Sequence, residues 1–409
     1  MQSGIIFSAI NFVTGLGNMG FQAVLGRHLK GEGQYGDTNT ALGGLMTLLA
    51  LVPAMATFAV THYIAHFNAS GDHARLQGLL LGCRRFLFWI TVGGSLLAIA
   101  IIQPLSVFFH YGERLMIVTL VCSLFGLWGS FATAFCQGLA WFKRLALIGF
   151  LIMVLRVTFG YFITLKWPMP ETAISATAFG LLANLLLLYW RRELTLHGKP
   201  VSPWNRELAL YFAVSAPFVL ANFCFLQGDN LVANKFFGKA GLDAYTAAGI
   251  LARALPITVA PLLTVLFTSR SGQRAGGIVP EQLKLLVLSA AALVFGAICL
   301  FSLRVLCLKI LGRYTPESAA MIGQFATAMV FVGLLQSLAY WSLASRWLKI
   351  SLVYGVLGVG YWLALLFLGK TPAEMLRVMP IASGVAFGIL LLVWLTNLRR
   401  HHPPGETAA

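Results

Sequence analysis

Apolar residues run along this chain in stretches of about 20, separated by short polar turns, and that is the length a helix needs to cross a bilayer. Read this way, the sequence predicts about twelve spanning helices. They fall at 4–26, 39–65, 86–109, 115–140, 145–165, 172–190, 208–234, 243–268, 283–303, 318–343, 350–369 and 375–397. Most connections are short. The longest, RRELTLHGKPVSPWNRE from Arg191 to Glu207, is basic, holds two prolines and lies near the middle. The expected organisation is a six-helix bundle over 1–190, a basic cytoplasmic linker over 191–207, a second six-helix bundle over 208–397 and a cytoplasmic tail over 398–409.

The two halves share a pattern. In the first, the opening helix ends in Gly26-Arg27-His28-Leu29-Lys30-Gly31-Glu32-Gly33-Gln34-Tyr35-Gly36, and a long helix containing Pro53 follows. In the second, Phe236-Phe237-Gly238-Lys239-Ala240-Gly241-Leu242-Asp243-Ala244-Tyr245 leads into a long helix with Pro256 and Pro261. Setting Tyr35 on Tyr245 also sets Gly31 on Gly241, at an offset of 210 residues. Each half holds an even number of helices, so both enter the membrane from the same face. The fold class expected is therefore an all-α polytopic membrane protein, two bundles related by a parallel pseudo-two-fold repeat about an axis along the membrane normal. Transporters built this way place their substrate between the repeats.

Composition supports a lipid environment. Of 409 residues 58% are hydrophobic and 10% charged, with mean hydropathy +0.82, where a soluble domain carries about 25% charge. The net charge of +16 would suit nucleic acid in a soluble protein. Here the cations sit at the ends of apolar segments and read as topology signals. The loops on the N-terminal side hold the greater share of Lys and Arg, which places both termini in the cytoplasm. The N-terminus lacks a basic region ahead of its first apolar run, so no cleavable signal is expected. Six scattered cysteines form no metal or redox motif.

At the two hairpins 20–65 and 221–271 the sequence resembles the multidrug/oligosaccharidyl-lipid/polysaccharide exporter superfamily, and within it the bacterial oligosaccharide flippases. That family closes its first helix with an Arg, a Leu-Gly turn and a Tyr-Gly or Phe-Gly. Gly26-Arg27-His28-Leu29 through Tyr35-Gly36 is similar, with Lys30 intervening. An Asp ahead of a Gly turn, followed by Ala-Tyr, is matched by Asp229-Asn230-Leu231 through Phe237-Gly238 and Asp243-Ala244-Tyr245. Leu266-Phe267-Thr268-Ser269-Arg270-Ser271 is similar to the family's exit from helix eight, with Thr in place of Pro. The resemblance implies a twelve-helix, two-bundle fold with alternating access. It also implies a glycan on a polyprenyl-pyrophosphate carrier as cargo, taken from the inner to the outer leaflet of the bacterial inner membrane.

Charges inside the spans are the candidate chemistry, because each costs several kcal/mol unless it is paired or wetted. Arg suits a pyrophosphate: its planar fork binds phosphate oxygens in pairs and keeps its charge when desolvated. Arg156 and Arg253 are expected to line the cavity, with Arg27 or Lys235 at its outer mouth. The structural alternative for Arg253 is an ion pair with Asp229. Asp229 is also the candidate for binding a driving proton or sodium ion. Asn18, Asn222 and Gln227, in the first helix of each half, are the expected polar cavity residues.

Other motifs read as structural. Gly15-Leu16-Gly17-Asn18-Met19-Gly20 matches a dinucleotide fingerprint, but it lies inside a span, where small residues serve close helix packing. His62 and His66 have metal-capable spacing without a third ligand. No phosphate-binding loop of the Walker type occurs. Neither catalysis, a metal nor a cofactor is expected, and no nucleic acid. The expected partners are the lipid-linked glycan, membrane lipids and polysaccharide polymerase or assembly proteins. The alternative readings are a multidrug/cation antiporter of the same superfamily, which would want a carboxylate-rich cavity, a peptidoglycan-precursor flippase, which would bring two further helices, and a membrane glycan polymerase or scaffold.

Overall fold

The computed structural model describes residues 2–189, 206–271, 279–344 and 347–401. Most of the expected 191–207 linker, Trp190, Trp204, the side chain of Asn184 and the tail beyond His401 lie outside them. Among the described residues the helices form twelve rods, in the order the hydropathy pattern predicts. The first lobe holds α1 (Gln2–His28), a second rod made of α2 (Gln34–Asn39), α3 (Met46–Leu49) and α4 (Leu51–Ser70), then α5 (His73–Phe109), α6 (Glu113–Gly138), α7 (Phe142–Lys166) and α8 (Pro170–Tyr189). The second lobe opens with a rod made of α9 (Arg206–Leu226) and α10 (Gly228–Phe236). It continues with α11 (Lys239–Ser271), the bent pair α12 (Val279–Ser302) and α13 (Arg304–Leu311), and ends with α14 (Pro316–Ala344), α15 (Leu348–Leu368) and α16 (Pro372–His401).

Seven of these helices are long and apolar enough to cross a membrane, or eight with the bent pair counted as one, among the described residues. Their outer faces carry large exposed apolar side chains, such as Trp89, Ile99, Phe295, Val356 and Phe367. That is the arrangement expected where lipid, not water, is the solvent.

The halves repeat in their packing. In the first, the opening rod packs on α7, the second rod on α6, α6 on α8, and α7 on α8. In the second, α9 packs on α15, α11 on α14, α14 on α16, and α15 on α16. Small residues make the rod-one to rod-five contact possible in both lobes. A methyl group on Gly17 would fall 2.0 Å from Met153 Sδ, and one on Gly358 would fall 2.5 Å from Ala221 Cα. Of the fingerprint-like glycines of α1, Gly17 is a packing residue, while Gly15 and Gly20 have open space beside them.

Several boundaries differ from the sequence reading, each for a local reason. The third rod begins at His73, not 86, because Asp72 caps it by accepting from the Arg75 amide at 3.0 Å. Arg304 and Lys309, read as loop residues, lie on α13, which leaves α12 at 74°. The second rod is interrupted by a π-helical turn over Thr40–Leu45 and again at Ala50. Proline cannot donate the helical hydrogen bond, and Pro53 sits just past that second break.

Candidate functional site

The two irregular rods face one another. The π-turn of the second rod presents Gly43 and Gly44 to the break between α9 and α10. A methyl on Gly43 would fall 2.5 Å from Gln227 Oε1, and one on Gly44 2.8 Å from Leu231 Cδ2. Backbone freed inside a membrane must find partners within the protein. Here Trp362 Nε1 donates to the Gly228 carbonyl at 3.0 Å; at the π-turn a side-chain bond, Tyr111 donating to Thr40 Oγ1 at 2.7 Å, holds the turn against the α5–α6 connection. Gln227 bridges inside its own rod, accepting from Asn230 Nδ2 at 2.7 Å.

The break at Gln227 also creates a helix N-terminus with Asp229 in its first turn, where the helix dipole favours a negative charge. Asp229 is fully buried and forms an ion pair with Arg253 of α11. Tyr245 donates to the same carboxylate oxygen at 2.7 Å, and Arg253 donates to Asn230 Oδ1 at 2.9 Å. The Arg253 guanidinium also lies 5.5 Å from the Phe325 ring centroid. The pair therefore belongs to the interior of the second lobe. Asn222 is engaged there too: its carbonyl oxygen accepts from Gln336 at 2.9 Å and Tyr354 at 3.1 Å.

Arg156 has a different setting. It points into the first lobe, where Nη1 donates to Asn18 Oδ1 at 3.3 Å and the guanidinium lies 4.2 Å from the Phe21 ring centroid. Its Nε is buried without a hydrogen-bond partner, and no carboxylate pairs with it among the described residues. The Arg156–Asn18 and Trp362–Gly228 contacts correspond: each ties the fifth rod of its lobe to the first.

Arg27 and Lys235 lie at the end distal to the chain termini. Arg27 Nη2 donates to the Ile310 carbonyl at 3.2 Å, and Lys235 Nζ lies 4.9 Å from the Phe108 ring centroid. That end is closed by polar contacts between the lobes. Asp243 accepts from the Gly36 amide at 2.7 Å and the Gly33 amide at 3.1 Å, and pairs with Arg313 at 3.4 Å. Lys239 pairs with Asp37 at 2.7 Å, and Asn234 Nδ2 donates to the Phe109 carbonyl. Gly33 adopts φ 77° beside Lys239, in the left-handed region that glycine occupies without strain.

Toward the terminal end a cavity of about 510 Å³ opens among α3, α4, α6 and α8, with Tyr340 of the second lobe on its wall. The lining combines apolar side chains, among them Leu42, Met46, Phe58 and Leu181, with hydroxyls and the Gln137 amide; Thr61, Ser123 and Ser130 donate their hydroxyls to backbone carbonyls. None of the lining residues is charged. None of the four expected cations lines this cavity. Arg253 is neutralised inside its lobe, Arg27 and Lys235 lie at the closed end, and Arg156 stands behind the cavity wall. Its neighbours Cys122 and Gly180 each precede a lining residue, Ser123 and Leu181. Of the three amides, only Asn18 touches a candidate cation. The hydroxyl lining escaped the sequence reading, although α6 carries its signal: Ser123, Gly126, Ser130, Thr133 and Gln137 recur at alternating three- and four-residue steps, one face of a helix.

Among the described residues the geometry is an all-helical, two-lobe membrane fold of twelve rods, with a cavity in the first lobe that Tyr340 of the second lobe borders. No protein-family model and no curated protein sequence matches the chain. Solved structures do match over nearly its whole length. An outward-facing multidrug resistance MATE family transporter of the MOP superfamily aligns with TM-score 0.74 at 13% identity, over 97% of this chain and 96% of that one. An inward-facing conformation of such a transporter gives 0.71 at 14%, over 96% and 98%. A MOP superfamily transporter from Pyrococcus furiosus, described as having a binding pocket of reversed polarity that suggests a different function, gives 0.69 at 13%, over 96% of each chain. At these identities the likeness establishes the fold.

Proposed function

We propose that this protein is an exporter that works by alternating access and carries a lipid-linked oligosaccharide across the bacterial inner membrane. The observation that carries the reading is the cavity lining, which sets hydroxyls and an amide among apolar side chains and holds no charge. Such groups suit sugar hydroxyls. They offer a cationic drug no carboxylate, and the buried Asp229 is already matched by Arg253. Arg156, buried behind the wall and lacking an acidic partner among the described residues, is the group assigned to a pyrophosphate carrier as the cargo enters. Closure at the distal end with a cavity toward the terminal end is one stage of an alternating cycle. In this reading the distal end, with Arg27 and Lys235, is the outer mouth, and polysaccharide polymerase and assembly proteins receive the cargo beyond it.

The alternative, a drug/cation antiporter, draws on the same fold, since the structural relatives above include multidrug resistance transporters. The Pyrococcus furiosus relative, described as having a binding pocket of reversed polarity that suggests a different function, is consistent with more than one function on this fold. Proteoliposomes decide between them. Loaded with a polyprenyl-pyrophosphate oligosaccharide, they should make the glycan accessible to an external glycosidase only when the protein is present, and Arg156→Ala should slow this about tenfold or more. Ethidium transport without glycan translocation would overturn the proposal in favour of the antiporter.

A further inference from the structure

The polar groups of the cavity wall fall into two sets. Thr61, Ser123 and Ser130 commit their hydroxyl protons to the carbonyls of Ala134, Thr119 and Gly126. Thr133, Gln137, Thr177 and Tyr340 line the same cavity, yet their side chains make no hydrogen bond among the described residues. Polar groups that border a void without a partner in the protein are satisfied by water or by a ligand.

Tyr340 differs from the others in origin. Among the described residues every other part of the wall belongs to the first lobe, and Tyr340 is on α14 of the second. Its ring packs at steep angles against Phe58 of α4, at 5.9 Å, and Phe218 of α9, at 4.9 Å. Phe58 lies one turn before Thr61, which donates to the Ala134 carbonyl of α6. Tyr340 therefore stands near the level of Thr133, and Gln137 follows four residues later on the same face of α6. We infer that Tyr340 is the residue through which the second lobe grips the cargo: its hydroxyl bonds a sugar that Thr133 and Gln137 hold from the first lobe. This rests on the glycan reading above. The sugar then bridges the lobes. A ligand shifts a conformational equilibrium only as far as it binds the two states differently, and a cargo held by the first lobe alone does not bias their movement. The Tyr340 bond supplies the difference, because it tightens as the lobes close at the terminal end. Thr133 and Gln137 set how firmly the cargo is held, and Tyr340 sets how fast it moves.

The test measures translocation in proteoliposomes against the mole fraction of a polyprenyl-pyrophosphate oligosaccharide, which gives a maximum rate and a half-saturating fraction. Tyr340→Phe keeps both ring contacts and removes only the hydroxyl. It should lower the maximum rate about fivefold, the worth of one hydrogen bond, and move the half-saturating fraction by less than about twofold. Thr133→Val with Gln137→Leu should do the reverse, raising the half-saturating fraction about tenfold at a nearly unchanged maximum rate. Ser337→Ala is the control. Its hydroxyl bonds the Gly333 carbonyl of α14, one turn from Tyr340 and away from the cavity wall, and its removal should change neither value. Tyr340→Phe moving glycan at the wild-type rate would overturn this inference and leave the glycan reading standing. So would an equal loss in Ser337→Ala, which would trace the effect to α14 itself. A wild-type protein that moves no glycan would overturn the reading and the inference together. Should the double variant fail to fold, Tyr340→Phe set against Ser337→Ala decides the question.

Discussion

Cutting the Asp229–Arg253 pair from one side should cost far more than removing both partners together. The two side chains are 0% and 6% exposed, so water cannot compensate whichever charge remains. Arg253→Met leaves the carboxylate with the Tyr245 hydroxyl at 2.7 Å and the α10 N-terminus, whose dipole is worth about 0.3–1 kcal/mol near a surface. Asp229→Leu leaves the guanidinium with the Asn230 amide oxygen at 2.9 Å and the Phe325 ring. Breaking a buried pair from one side costs about 3–5 kcal/mol, whereas replacing the whole pair by apolar groups is often neutral or better. The double variant should therefore lie within about 1–2 kcal/mol of wild type, the residue being the lost Tyr245 hydrogen bond. The assay is reversible unfolding of detergent-solubilised protein by denaturant, read as a double-mutant cycle. Single-variant costs that simply add, within about 0.5 kcal/mol, would show that the two charges do not stabilise one another. Transport by the double variant separates a coupling role from a structural one. If Asp229 binds the driving cation, the folded double variant should lose dependence on the proton or sodium gradient; retained dependence would make the pair purely structural.

The distal seal and the cavity give further tests. Asp37→Cys with Lys239→Cys, joined by a short bismaleimide across the lobes, should stop transport completely; transport by the cross-linked protein would show that this end need not open. Asp243→Ala strands the Gly33 and Gly36 amides and Arg313 and should destabilise by about 2–4 kcal/mol. Lys239→Ala, at a pair whose lysine is 44% exposed, should cost about 1 kcal/mol or less, and thermal unfolding compares the two. Gly126 lies on the cavity wall, where an added methyl would fall 3.8 Å from Leu181 Cδ1, an ordinary contact, so Gly126→Leu directs its side chain into the void. Glycan translocation should fall about tenfold with little change in melting temperature, and unchanged translocation would place the cargo path elsewhere.

Helix number, order and the repeat were legible in the chain itself, because a bilayer imposes a fixed length on each crossing and backbone hydrogen bonding within each segment. The packing role expected of the α1 glycine run holds at Gly17, whereas Gly15 and Gly20 face open space. The sequence also isolated the charges that needed explaining, Asp229, Arg253 and Arg156, since hydrophobic context makes each one conspicuous. It could not say which of them meet. Asp229 and Arg253 are 24 residues apart, and their pairing depends on a break at Gln227 that turns α10 toward α11. Arg27 and Arg156 look alike in sequence, yet the fold sends one to the distal seal and the other behind the cavity wall. Nor could hydropathy say which hydroxyls border the cavity, since Ser123 and Ser130 do so while bonding carbonyls of their own helix. Segment length is a local property; electrostatic partnership and access to a void are properties of rods packed at particular rotations, and only the assembled lobes fix those.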